Sequence, residues 1–93
     1  MTYSQRIKKW GEFWEFYKES QSAVCYKRLD ANDIHVGFVV FTKKAYKNDY
    51  SIGESVIARA GDPMIPGEGA FGQWAWNYLR WDESSAIKKL NGL

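Results

Sequence analysis

The chain has 93 residues, enough for one domain with a thin core. Apolar residues make up 45% and aromatics 17%, which excludes a disordered chain, since disorder needs few aromatics and high net charge. The net charge of +2 is divided: residues 1–47 carry nine Lys/Arg against five Asp/Glu, and residues 48–93 carry four against six. A dipole of this size steers a partner without selecting its class. One cysteine, Cys25, excludes an internal disulfide and a cysteine-rich zinc site, and it suits a reducing cytoplasm. No apolar run resembles a signal peptide or reaches the length of a membrane span, so no membrane partner is expected. Beginning at Met1, the chain reads as a whole gene product.

Residues 3–20 are predicted to form an amphipathic helix. Thr2 and Gln5 fit a capping box, and Ile7, Trp10, Trp14 and Tyr17 recur at three- and four-residue spacing, with Phe13 widening the stripe. Gly11 inside the helix costs about 1 kcal/mol against Ala. Residues 22–29 and 34–41 read as strands joined by the turn residues Asp30-Ala31-Asn32-Asp33, a hairpin. Apolar residues on both faces of 34–41 mark a central strand. Residues 50–59 read as a third strand, with Gly53 at a bulge, and 60–69 as a Pro/Gly loop. Residues 70–81 read as a second helix, with Phe71, Trp74, Ala75, Tyr78, Leu79 and Trp81 on one side. Asp82 then caps a last short helix over 83–90. The expected order is α-β-β-β-α-α, one α+β domain with a three-stranded antiparallel meander, an N-terminal helix and two C-terminal helices.

Gly67-Glu68-Gly69-Ala70-Phe71-Gly72 matches G-x-G-x-x-G and resembles the glycine-rich phosphate loop of protein kinases, in which glycines let backbone N–H groups approach a phosphate. The context opposes a nucleotide site. Pro63-Met64-Ile65-Pro66 stands where a dinucleotide fold needs a strand, and the kinase lysine and metal-binding motifs are absent. A reduced version remains, in which Gly67, Gly69 and Gly72 hold a small anion with Arg59 or Arg80 nearby, making the chain a sponge or sensor. His35 and Cys25 fall in neighbouring strands, where a Cys–His pair is conceivable but structural roles are commoner. No cofactor, metal or catalytic constellation emerges, so an enzyme is not expected.

Basic residues interleave with aromatics at Lys8-Lys9-Trp10 and at Lys43-Lys44-Ala45-Tyr46-Lys47. This mixture binds single-stranded nucleic acid when cations meet phosphates and rings meet bases. The wheels place Phe16 and Trp76 on polar faces, where core packing does not explain them, and exposed aromatics anchor protein interfaces. The preferred expectation is therefore a non-enzymatic protein-binding module of the kind small phages and mobile elements use to occlude a host protein. Its contacts are expected at Phe16, Trp76, Arg80, Met64 and Ile65, the last two in the long 61–69 loop. A single-stranded nucleic-acid or RNA binder is the alternative, with Lys8, Lys9, Lys43, Lys44, Tyr46 and Lys47 as its contacts. A homodimer seam would also employ the two aromatics.

Overall fold

A computed structural model describes residues 2–93 and shows a protein built mainly of strands. Seven strands run in order: β1 (Arg6–Lys9), β2 (Glu12–Glu19), β3 (Ala23–Leu29), β4 (His35–Thr42), β5 (Tyr50–Ile52), β6 (Ser55–Ala58) and β7 (Ala75–Leu79). A short 3-10 turn at Glu68–Ala70 precedes β7, and one helix, α1 (Glu83–Gly92), ends the chain. Five strands form an antiparallel sheet in the order β1-β2-β3-β4-β7, while β5 and β6 form a separate two-stranded hairpin.

The α-β-β-β-α-α order is thereby corrected. Residues 3–20 form a β-hairpin, 70–81 form a turn and the edge strand β7, and only the last of the three expected helices exists. The physical reason lies in β2. Trp14 and Phe16 pack on one face of the sheet and Tyr17 on the other, so burial on both sides erases the two-residue alternation. The surviving three- and four-residue spacing imitates a helix. Aromatic residues favour the pleated surface, and β2 and β7 are both rich in them.

Glycine placement settles the hairpin. Lys9 pairs with Glu12, leaving Trp10-Gly11 as a two-residue loop with φ of 53° and 74°. Positive φ at both positions is a type I′ turn, which matches the twist of the flanking strands. The glycine that would weaken a helix is the residue that closes β1 onto β2.

The hairpin expected around Asp30–Asp33 forms between β3 and β4, and the Asp30 side chain accepts the backbone N–H groups of Asn32 (2.8 Å) and Ile34 (3.0 Å). The third expected strand, 50–59, does not join the sheet. Gly53 (φ 61°) and Glu54 make a two-residue turn between Ile52 and Ser55, and the segment doubles back on itself. A glycine with positive φ at the first turn position, followed by a residue with ordinary φ, marks a type II′ turn.

Both faces of the large sheet are covered. On one, Trp14, Val24, Tyr26, Val39, Phe41 and Ala75 pack beneath Tyr3, Ile65, Ala70, Phe71 and Trp74, which come from the N-terminal segment and the 63–74 loop. The Tyr26 and Phe41 rings are nearly parallel at 5.8 Å, and the Tyr26 hydroxyl donates to the Ser4 carbonyl at 2.7 Å. On the other face, Ala23, Cys25, Phe38 and Val40 meet Ala86 and Leu90 of α1. The helix is fastened by Tyr17, whose hydroxyl donates to Glu83 at 2.8 Å, and by Ser22, which donates to the Leu93 carbonyl at 2.6 Å.

Beside the aromatic core runs a polar row. Arg28 donates to both oxygens of Glu12 (2.7 and 3.1 Å) and, across Gly37 of β4, to Asn77 of β7 (3.2 Å). Trp14 Nε1 also donates to Glu12 at 2.9 Å. Burial pushes the Glu12 carboxyl up, but the hydrogen bonds from Arg28 and Trp14 and the guanidinium charge outweigh it and hold the group below its ordinary value.

Three substitutions probe this arrangement. A Cβ added at Gly11 meets open space, so Gly11→Ala tests the backbone alone. It is expected to lower stability by about 1–2 kcal/mol in urea unfolding, the cost of an L-residue in the left-handed region. A carboxylate with a depressed pKa stabilises the fold above its unfolded value, and that stability is lost as pH falls through the folded value. Acid unfolding below about pH 4 should therefore be shallower in Glu12→Gln than in the parent. Arg28→Gln at neutral pH should cost about 1–2 kcal/mol, moderated because the pair is partly solvated.

Candidate functional site

The β5–β6 hairpin is an arm. The chain leaves the sheet after Thr42, and residues 44–46 run antiparallel to 62–64. Met64 N–H donates to the Lys44 carbonyl (2.8 Å), Tyr46 N–H to the Asp62 carbonyl (3.0 Å) and Gly61 N–H to the Tyr46 carbonyl (2.8 Å). Carboxylates secure this root: Asp49 accepts the Ala60 N–H at 2.8 Å and pairs with Arg59, and Asp62 accepts the Arg59 N–H at 2.9 Å. Beyond the root, β5 and β6 pack chiefly on each other. Their apolar side chains lie in solvent: Ile52 is 63% exposed, Ile57 56%, Tyr50 49% and Val56 45%.

Two open concavities flank the root, with Tyr46 a wall of both. One, about 670 Å³, is lined by Lys44, Tyr46, Lys47, Asp49, Tyr50 and Met64. There the Tyr46 and Tyr50 rings stack at 6.2 Å, 23° from parallel. The other, about 460 Å³, lies between the arm and the sheet and includes Ile7, Lys9, Ile57, Asp62 and Ile65.

Several residues singled out from sequence thus gather at the arm's root: Lys44, Tyr46, Lys47, Met64, Ile65 and Lys9. Lys43 is held nearby in an ion pair with Glu19 at 2.8 Å, and Lys8 is exposed on the edge strand β1. Phe16 and Trp76 lie elsewhere and apart. Phe16 is half-buried edge-on to Tyr26 (5.7 Å), while Trp76 is half-buried on the helix-bearing face, beneath the Lys89 ammonium (3.9 Å). Arg80 is exposed beside Trp81 at the end of β7. That end carries a second apolar group, Ile34, Val36, Leu79 and Trp81, the last 73% exposed, at the opposite end of β4 from the arm.

Sequence reasoning did not reach the arm's tip, because it took 50–59 as one strand. The signal was present in Gly53-Glu54, a glycine-led pair between two β-prone runs, Tyr50–Ile52 and Ser55–Ala58.

In the glycine string, Ala70 N–H donates to the Gly67 carbonyl, Phe71 N–H to Glu68, and Gly72 N–H to Ala75. These donors serve the turn itself, and Gly67, Gly69 and Gly72 shape a loop that covers the core. Cys25 lies opposite Val40 and His35 opposite Leu29, so strand register keeps them apart. Burial, with the Glu83 charge adding to it, pushes the Cys25 thiol up to about 12, far from a nucleophile's range. The His35 ring rests edge-on against Phe38 (4.7 Å), with Nε2 2.9 Å from the Gly37 carbonyl. Among the described residues, no group of three or more His, Cys, Asp and Glu could hold a metal ion, and no helix is long and apolar enough to cross a membrane.

No protein-family model, curated protein or solved structure matches this chain.

Proposed function

We propose that the chain is a non-enzymatic protein-binding module that engages another protein through the β5–β6 arm. The observation that carries this reading is the placement of Tyr50, Ile52, Val56 and Ile57 in solvent on a hairpin detached from the main sheet. The core does not employ these side chains, and leaving four large apolar groups in water forgoes the stabilisation their burial would give. An interface restores it, and clustered apolar side chains on a projecting element are what hot spots are built from. The rigid root, closed by Asp49 and Asp62, lowers the ordering entropy lost on binding, which makes the arm an effective anchor. A compact body carrying such an anchor suits an inhibitor that seats the hairpin in a groove and occludes it, the mode expected of a small phage or mobile-element protein acting on a host protein.

The test compares affinity-tagged parent and Ile52→Ser/Ile57→Ser protein, purified from the native cell after nuclease treatment. The variant is expected to keep its unfolding midpoint, because both residues are exposed, and to lose a stoichiometric partner by about 2 kcal/mol or more in affinity. A Leu79→Ser/Trp81→Ser control should retain the partner. Retention by the arm variant with loss by the control would move the interface to the far end of the sheet and overturn the reading.

A further inference from the structure

The cations of this protein rest on rings more than on carboxylates. Among the described residues a Lys or Arg lies over an aromatic ring at seven places. Tyr17 and Trp74 are partly buried rings packed against the core, while Trp10 and Trp81 stand more than half exposed. The arm's root differs, because there the cations and the rings line the same concavity.

Lys44 and Lys47 border the 670 Å³ cleft together with the stacked Tyr46 and Tyr50. Neither lysine has a carboxylate within salt-bridge distance among the described residues. By contrast Arg6, Arg28, Lys43 and Arg59 are each paired. The one acid lining the cleft, Asp49, is already engaged by the Ala60 N–H and by Arg59. The cleft therefore carries an excess of positive charge, two lysines against one acid that is shared with Arg59. Lys44 sits 5.0 Å over the Trp74 ring, which leaves its ammonium near an apolar surface where an anion competes with less water. Beyond Tyr46 the second concavity carries Lys9, which has no ion pair among the described residues and whose ammonium lies 4.7 Å over Trp10, a half-exposed ring in the β1–β2 turn.

We propose that the arm's root binds single-stranded nucleic acid. Lys44 and Lys47 meet backbone phosphates, bases stack on Tyr50 and Tyr46, and the strand continues past Tyr46 toward Lys9 and Trp10. An inorganic phosphate would satisfy the lysines but leave the rings idle. An acidic peptide would likewise employ only the charges. A duplex cannot offer unstacked base faces to the tyrosines, whereas a single strand offers one at each nucleotide. The proposal shares Tyr50 with the arm's apolar surface but does not depend on Ile52 or Val56, so the two can succeed or fail separately.

The experiment measures fluorescence anisotropy of the full chain with a labelled oligothymidylate of about twelve nucleotides, a length within the usual site sizes, across a salt series starting near 50 mM. Binding that weakens steeply with salt is expected. Lys44→Gln/Lys47→Gln should lower affinity about tenfold and reduce the slope of log K against log salt by about 0.7 per lysine removed. Tyr50→Ala should weaken binding by a similar factor with the slope unchanged. Two controls keep the proposal open to defeat. Lys18→Gln/Lys88→Gln removes two exposed lysines outside the cleft, and Ile52→Ser/Val56→Ser alters exposed arm residues that line neither concavity; both should bind as the parent does. The proposal is overturned if the parent does not bind at the lowest salt, if the Lys18/Lys88 variant loses as much as the cleft variant, or if Tyr50→Ala has no effect. It is equally overturned if a duplex of the same length, or polyglutamate in competition, binds as tightly as the single strand.

Discussion

The central strands β3 and β4 present buried side chains to both faces of the sheet. Val24, Tyr26, Val39 and Phe41 point one way, while Cys25, Phe38 and Val40 point the other. A sheet of this kind needs two covers, and a chain this short has little to make them from. It makes one from α1 and the other from irregular backbone: the N-terminal segment around Tyr3 and the 63–74 loop with Pro66 and Ala70 buried in it. The aromatic surplus belongs to this solution. Large rings fill the space a second helix would have taken, and Tyr3, Trp14, Tyr26, Phe41 and Trp74 form one continuous group of edge-on, tilted and stacked contacts.

The same demand explains what could be read from the sequence. The hairpin 22–41 was legible because its turn chemistry is local and its strands are rich in Val and Phe, and α1 was legible because Asp82 and the final glycine bracket it. The two expected helices were illegible for a shared reason. In Glu12–Glu19 and Ala75–Leu79 both faces are used, so polar residues fall where the partner cover is thin rather than at alternate positions. Glu12, for example, lies on the Trp14 face because Arg28 reaches it there, a contact between residues distant in sequence. The turn glycines Gly11 and Gly53 carried the needed information, but each has a second reading, as a weak point in a helix or a bulge in a strand, and periodicity chose that reading.

The candidate site was half legible. The run Lys43–Lys47 stood out by composition, and Met64 and Ile65 by lying in a long loop, but only the pairing of 44–46 with 62–64 shows that these are one place. Phe16 and Trp76 drew attention as rings on the wrong side of a helix. In a strand each has an ordinary neighbour, Tyr26 for one and Lys89 for the other. The large apolar side chains left mostly in solvent include those of the arm and those around Trp81, at opposite ends of β4. The sheet and its covers employ the large buried rings, and the apolar side chains of the arm project beyond them.

The sheet is tightly covered on both faces, whereas the large apolar side chains of the arm lie outside its core. Amide hydrogen exchange of the free protein, followed residue by residue, tests that separation most directly. The account predicts the slowest exchange in β3 and β4 and fast exchange through 50–57, where the ladder has solvent around it and few apolar contacts. Protection of the 50–57 amides equal to that of Val24–Tyr26 and Val39–Phe41 would contradict it, because the hairpin would then unfold only with the sheet and belong to the core.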